Sequence, residues 1–328
     1  MKNTLIHSLF LFIAVAAFLL FTGSCENEEN KPEIPVVSTT DITEITQTTA
    51  MGGGNITSDG GAGVSARGIC WDTQPNPEIS DRKTADGTGT GSFISNLSLL
   101  SPDSTYYVRA YATNSAGTAY GNQVNFTTEK STKFTDSRDG NVYETVKIGT
   151  QVWMKENLKY LPEVSGPTTY SQYDPVYYVY DYEGSDVSMA KQMPGYVTYG
   201  ALYNWEAAVS ACPEGWNLPS DAEWSVLKNY LGGVQVAGGK LKETGTEHWD
   251  VTNTQVTNES GFTALPGGFR YSDSTFYYIR GMGRWWSATE QIFASTDAWN
   301  RSISAGGIDV YLLDVPKKWG LSVRCVKD

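Results

Sequence analysis

Between residues 34 and 128 the chain alternates apolar and polar positions in short runs, and Gly, Asn and Asp turns divide the runs. A period of two is the mark of half-buried strands, because successive side chains on a strand point to opposite faces. Tyr106, Val108, Ala110 and Ala112 are expected to face a core while Tyr107, Arg109 and Tyr111 face water. Further strands are expected over 49–56, over 65–71 and after the glycine turn at 87–91, with no helical period among them. Beyond Phe134 the pattern changes. Val142–Ile148 and Gln151–Met154 read as a hairpin about Gly149-Thr150. Leu202, Trp205, Ala208, Val209 and Cys212 recur at helical spacing up to Pro213. Ser220 and Glu223 then form a capping box, and Trp224, Leu227 and Leu231 share one helix face before Gly232-Gly233 ends it. Gly238-Gly239-Lys240 reads as a turn. Strands at 261–265, 284–289, 299–303 and 321–326 complete the expected elements, joined by long polar connections.

The N-terminus bears on compartment. Lys2, the apolar run at 9–21 and the small residues before Cys25 have the layout of a secretory signal, and the run is short for a membrane-spanning helix. Thr22-Gly23-Ser24-Cys25 resembles the processing site of bacterial lipoproteins, although Thr22 stands where that pattern usually has leucine. The resemblance implies a signal peptide at 1–24, a lipidated Cys25 that anchors the chain to a membrane, and an acidic tether at 25–33. An ordinary signal peptide with an incidental cysteine is the alternative. Glu26-Asn27-Glu28-Glu29-Asn30 also resembles the export signal of surface-displayed lipoproteins of the Bacteroidetes group, which implies an outer-membrane, surface-exposed location.

Charge and composition narrow the function. Acidic residues number 36 against 24 basic, a net charge of −12, which excludes the basic surface that nucleic-acid binding requires. The only histidines are His7 and His248, so a multi-histidine zinc centre cannot be built. No P-loop, dinucleotide glycine signature or nucleophile elbow occurs, and no cofactor, metal centre or enzymatic activity is expected. Acid pairs such as Glu243 with Glu247, or Asp250 with Glu259, are compatible with a glycosidase couple, but sequence spacing does not give the separation such a couple needs.

Leu100, Pro102 and Tyr106, the Asn114-Ser115-Ala116-Gly117 turn and the Val124-Asn125-Phe126-Thr127 strand resemble the end of a fibronectin type III domain. The resemblance implies an all-β sandwich over 34–128 in which the tyrosine pins a strand at a corner, serving as a spacer or adhesive module. After it, Asp139-Gly140-Asn141, Val146-Lys147-Ile148-Gly149, Trp153-Met154 and Glu156-Asn157-Leu158 resemble the opening of the Fibrobacter succinogenes major paralogous domain. Gly200-Ala201-Leu202-Tyr203-Asn204-Trp205, Cys212-Pro213-Glu214-Gly215-Trp216 and Leu218-Pro219-Ser220-Asp221 continue the match. Gly267-Gly268-Phe269-Arg270, Trp285-Trp286-Ser287 and Ser322-Val323-Arg324-Cys325 extend it over 134–328. Two short helices followed by strands are similar to an α+β C-type lectin-like fold.

That second likeness implies a disulfide between Cys212 and Cys325, leaving Cys70 as a small buried hydrophobe beside Trp71. Calcium-dependent lectins use a Trp-Asn-Asp triplet; here Trp299-Asn300-Arg301 puts a cation in place of the carboxylate, so no calcium is expected there. The likeness places a binding face on the long loops after the second helix. Trp249, Asp250, Arg270, Tyr277, Tyr278, Trp286, Glu290 and Asn300 are the candidates, a mixture of aromatic planes with donors and acceptors that suits a sugar. Alternation leaves it open which of Trp285 and Trp286 faces outward, with Trp286 the chosen one. The expected function is therefore a lipid-anchored surface protein that binds an extracellular glycan. The alternatives are a structural or adhesive protein with a surface-protein partner and, more distantly, an accessory module of polysaccharide degradation.

Overall fold

The structure, a computed structural model, describes residues 31–166, 168–251 and 255–328. The signal peptide, Cys25 and the tether up to Asn30 lie outside the described residues. Eight strands come first: β1 Val36–Thr39, β2 Ala50–Ser58, β3 Ala66–Asp72, β4 Arg82–Lys83, β5 Gly91–Leu97, β6 Thr105–Asn114, β7 Gly117–Tyr120 and β8 Val124–Thr127. One sheet has the order β1-β2-β5, and the other runs β4-β3-β6-β7 with β8 also on β6. Their inner faces share a core of Ile56, Ile69, Trp71, Phe93, Leu97, Val108 and Phe126, so this unit is a β-sandwich. The Tyr106 hydroxyl accepts the Ser101 N–H at 2.9 Å and fixes the entry of β6.

Among the described residues twelve strands and five helices follow. The first strands are β9 Thr132–Thr135, β10 Val142–Ile148, β11 Gln151–Met154 and β12 Tyr177–Tyr178. Helices α1 Val187–Ala190 and α2 Pro194–Tyr199 precede β13 Leu202–Tyr203, α3 Trp205–Ala211, β14 Trp216–Asn217, α4 Asp221–Tyr230 and α5 Val234–Leu241. The chain closes with β15 Gly267–Arg270, β16 Phe276–Ile279, β17 Met282–Glu290, β18 Asp297–Ser304, β19 Tyr311–Pro316 and β20 Val326–Lys327. The main sheet, β14-β20-β11-β10-β9, is accompanied by the β17-β18-β19 sheet and the β12-β13 and β15-β16 ribbons. Among the described residues no helix is long and apolar enough to cross a membrane.

Among the described residues this unit has two large cores and a smaller cluster about Val176, Tyr178, Tyr180 and Leu202, and its central strands serve both large cores. Trp153 of β11 and Trp285 of β17 enter a core with Trp224, Leu227, Leu241, Trp249 and Phe262. Their neighbours Met154 and Trp286 enter the other, with Tyr203, Trp205, Ala208 and Phe269. Between the cores Arg324 is completely buried. It donates from Nη2 to Asn157 Oδ1 at 2.8 Å and from Nη1 to Phe262 O at 2.7 Å, while Trp285 Nε1 donates to the same Asn157 oxygen at 2.8 Å. Asn157 in turn donates to Tyr199 O and Ser322 Oγ. Burial pulls the Arg324 guanidinium down to about 9, which leaves it charged at neutral pH, and these oxygens replace its lost hydration. Cys212 and Cys325 form a disulfide with Cα atoms 5.9 Å apart, tying the end of α3 to the approach of β20. Cys70 is buried and free, and burial pushes its thiol up to about 11.

Several sequence expectations need correction. Tyr111 is buried and donates its hydroxyl to Thr84 O at 2.7 Å, because the Thr84–Asp86 segment, hydrogen-bonded along β3, packs beside that face of β6. Leu202 belongs to a strand, and α3 starts only after Asn204, whose side chain accepts the Ala207 N–H. Val209 is exposed rather than on the buried stripe. The 261–265 segment forms only a single bridge, Lys242 to Ala264. Gly238 and Gly239 lie inside α5 and not in a turn. A Cβ at Gly238 would stand 2.6 Å from Ile308 O, so the glycine lets the helix press against that loop.

Candidate functional site

The expected binding residues divide sharply by burial. Trp249, Arg270, Trp286 and Asn300 are all buried to 1% exposure or less, which removes them from any open binding face. Each has a structural task. Trp249 donates to Ala264 O and lies under the Lys242 ammonium at 4.2 Å, and Trp286 donates to Tyr203 O at 2.7 Å. Arg270 stacks on Tyr178 at 4.1 Å, and Asn300 donates to Leu313 O at 2.9 Å. The question of Trp285 against Trp286 resolves against both. They do point to opposite faces of β17, but a core covers each face. Glu290 is exposed at the end of β17 and pairs with Lys317, and Asp250 is exposed and pairs with Arg280 at 2.8 Å.

Tyr277 and Tyr278 do reach the surface, and the structure surrounds them with rings that the sequence did not single out. Phe269 of β15 pairs with Tyr277 of β16 in the ribbon register. Trp319 stacks on Phe269 with a centroid separation of 5.4 Å and an interplanar angle of 3°, and Tyr278 lies at 5.8 Å and 19°. Tyr271 packs on Trp319 at 4.3 Å and meets Tyr277 edge-on at 6.0 Å. Phe269 is the buried hub, while Tyr278 is 61%, Tyr271 39% and Tyr277 37% exposed. The outer rings form a contiguous aromatic platform whose neighbouring planes are inclined to one another by 39° to 85°. Such a surface is costly to leave bare in water, and ring faces of this kind suit the apolar face of a flat ligand.

Polar groups frame the rings. The Arg284 guanidinium lies 4.4 Å from the Phe269 centroid and 5.8 Å from that of Trp319, and burial lowers its pKa. At the ribbon turn, Asp273 accepts from Thr275 N at 2.9 Å and from the Tyr277 hydroxyl at 3.1 Å. The backbone bond from Thr275 comes first among the causes that hold the Asp273 carboxyl below its usual range, and the Asp273 bond raises the Tyr277 phenol. Ser274, Tyr278 and Arg280 all have positive φ, at 74°, 60° and 64°. For a tyrosine this backbone is disfavoured by about 1–3 kcal/mol, offset by the stacking that holds Tyr278 on Phe269. Tyr271 and Trp319 lie 48 residues apart in sequence, outside any local aromatic run, so no periodicity announces their contact.

A concavity of about 820 Å³ opens elsewhere, where Ile45, Met51 and Leu97 of the sandwich face Val226 and Tyr230 of α4. Its lining mixes these apolar side chains with threonines and charged groups, the Lys240–Glu259 ion pair among them.

Comparison with known proteins bears on the same chain. No curated protein matches it. Among solved structures, the sensor domain of the anti-sigma factor RsgI4 in Pseudobacteroides cellulosolvens is similar at 15% identity over 30% of this chain and 97% of that one, with a TM-score of 0.23. The third fibronectin III domain of human KIAA0343 protein is similar at 17% identity over 33% of this chain and 94% of that one, also with a TM-score of 0.23. Likenesses at that level carry no functional argument. The model of the Fibrobacter succinogenes major domain matches residues 146–327, more than half of the chain. The chain therefore belongs to the Fibrobacter succinogenes major domain family.

Proposed function

We propose that this chain is a lipid-anchored protein of the outer surface whose C-terminal domain, a C-type lectin-like unit, binds an extracellular glycan. The observation that carries the reading is the platform of Tyr271, Tyr277, Tyr278 and Trp319, framed by Arg284 and Asp273. Pyranose rings offer an apolar face for stacking and hydroxyls for the flanking polar groups. The N-terminal sandwich then serves as a spacer, and Cys25 carries the lipid. Glycan retention is expected to survive a chelator, since Asp273, the platform's carboxylate, already bonds Thr275 and Tyr277.

The test is retention of the purified protein on a panel of insoluble and gel-embedded polysaccharides. Tyr271→Ala combined with Tyr278→Ala is expected to weaken retention by about tenfold or more, with the circular dichroism spectrum unchanged. Undiminished retention by the double variant, or retention by no polysaccharide while a surface protein is bound instead, would overturn the glycan reading.

A further inference from the structure

Outside the platform, the loop between α5 and the 261–265 segment gathers chemistry that the glycan reading does not use. Donor atoms of Glu243, Glu247 and His248 all lie within 4.8 Å of one another. The His248 Nδ1 meets the two Glu243 carboxylate oxygens at 2.8 and 3.0 Å, and the ring packs edge-on against Tyr199 at 5.9 Å. His248 is the only histidine among the described residues, and it sits between two carboxylates.

The neighbouring cations are committed elsewhere. Arg280 spends its guanidinium on the Asp250 carboxylate and on the carbonyls of Glu247 and Thr246, at 2.8, 2.7 and 3.2 Å. Lys242, next in the chain to Glu243, turns its ammonium away to the carbonyls of Ser304, Ala305 and Gly307. Thus Arg280 fixes the loop backbone that presents Glu247 and His248 without neutralising Glu247. Two carboxylates converge beside one imidazole. A solvated acidic face would spread its charges apart; this loop is instead pinned so that they meet.

From this geometry we infer that Glu243, Glu247 and His248 form a binding site for a divalent metal ion of the zinc class. Two carboxylates and one imidazole are a donor set of borderline character, suited to zinc-like ions more than to calcium, which takes six to eight oxygens. The two negative charges balance the ion, and water completes the coordination from the exposed Glu247 side. Glu243 and His248 are half-buried and held in place, so little order must be created on binding. The ion joins Glu243 to the adjacent Glu247 and His248 in the first part of the loop, beside Arg280, which follows β16 and the platform residue Tyr278. Its role is to brace that loop.

The site is tested on the purified, tag-free protein stripped of metal with a chelator and then dialysed. Titration with zinc(II) alone, read by calorimetry, is expected to give about one saturable equivalent, and cobalt(II) is expected to develop visible absorption bands. His248→Ala and the exposed-side Glu247→Gln are each expected to weaken binding by about tenfold or more, while Glu259→Gln leaves it unchanged. Because Glu247 is exposed, its replacement leaves the fold intact and keeps the test decisive. Unsaturable binding, or equal affinity in Glu247→Gln and the wild type, would overturn the site. Polysaccharide retention is a separate readout, so loss of the metal site and loss of the glycan reading are distinguishable.

Discussion

At the scale of single residues, the polar groups placed in the interior show what the fold needs. Asp136 is fully buried after β9, where it accepts from Arg138 Nε at 3.0 Å and Nη2 at 2.7 Å. The same guanidinium donates to Ala211 O at the end of α3 and stacks on Tyr160 at 3.7 Å, so one arginine ties the first turn to a helix end. Burial works to raise the Asp136 pKa, but the bonds from Arg138 outweigh it and hold the carboxyl below its ordinary range. A carboxylate whose folded pKa is depressed stabilises the fold above its unfolded pKa, near 4, and loses that contribution as pH falls through the folded value. Asp136→Asn is expected to reduce stability at neutral pH by about 1.5–3 kcal/mol, a typical worth for bonds to a charged group. Denaturant titrations at a series of pH values are expected to show the gap between variant and wild type closing below about pH 4; a gap independent of pH would contradict the assignment.

At the scale of elements, local signals were legible where local chemistry suffices. The capping box is the best case: Ser220 Oγ accepts the Glu223 N–H at 3.3 Å, and Glu223 Oε2 accepts the Ser220 N–H at 2.8 Å. Both bonds are local, so the S-x-x-E spacing announced the start of α4. Ser220→Ala is expected to lower stability by about 1 kcal/mol, seen as a shift in urea midpoint at constant slope; no shift would mean that the Glu223 carboxylate on the backbone N–H of residue 220 carries the cap alone. The hairpin of β10 and β11 was equally plain, since turn and alternation agree. Alternation failed at β17, because it assumes one wet face while both faces of Trp285 and Trp286 are covered. The glycine-turn signal failed at α5, where Gly238-Gly239 reads as a turn but lies within the helix, Gly238 permitting close contact with the Ile308 carbonyl.

At the scale of the whole molecule, the motif residues that identify the family prove to be mostly scaffold. Asn157, Trp285, Ser322 and Arg324 form one buried network, and Cys212 and Cys325 close a disulfide across 113 residues. Closing a loop of that length stabilises by about 4–5 kcal/mol in the chain-entropy model. Cys212→Ala is therefore expected to lower the unfolding transition of the C-terminal domain in calorimetry and leave that of the β-sandwich in place. A shift of both transitions would show that the two units unfold as one. The displayed aromatic rings sit away from the network, on Tyr271, Tyr278 and Trp319, where rings cover the scaffold and meet water.

The sequence by itself determined the elements whose causes lie within a few residues: the alternating strands of the sandwich, the hairpin at Gly149-Thr150, the cap at Ser220 and the tyrosine at the corner of β6. Through its motifs it also carried the family likeness and the Cys212–Cys325 pairing. The tertiary structure alone decided which aromatic rings are buried and which are displayed. Trp249 and Trp286 vanish into cores because other elements cover them, whereas Tyr271 and Trp319, remote in sequence, meet on one surface. Burial depends on what packs over a residue, and packing partners far along the chain leave no trace in local spacing.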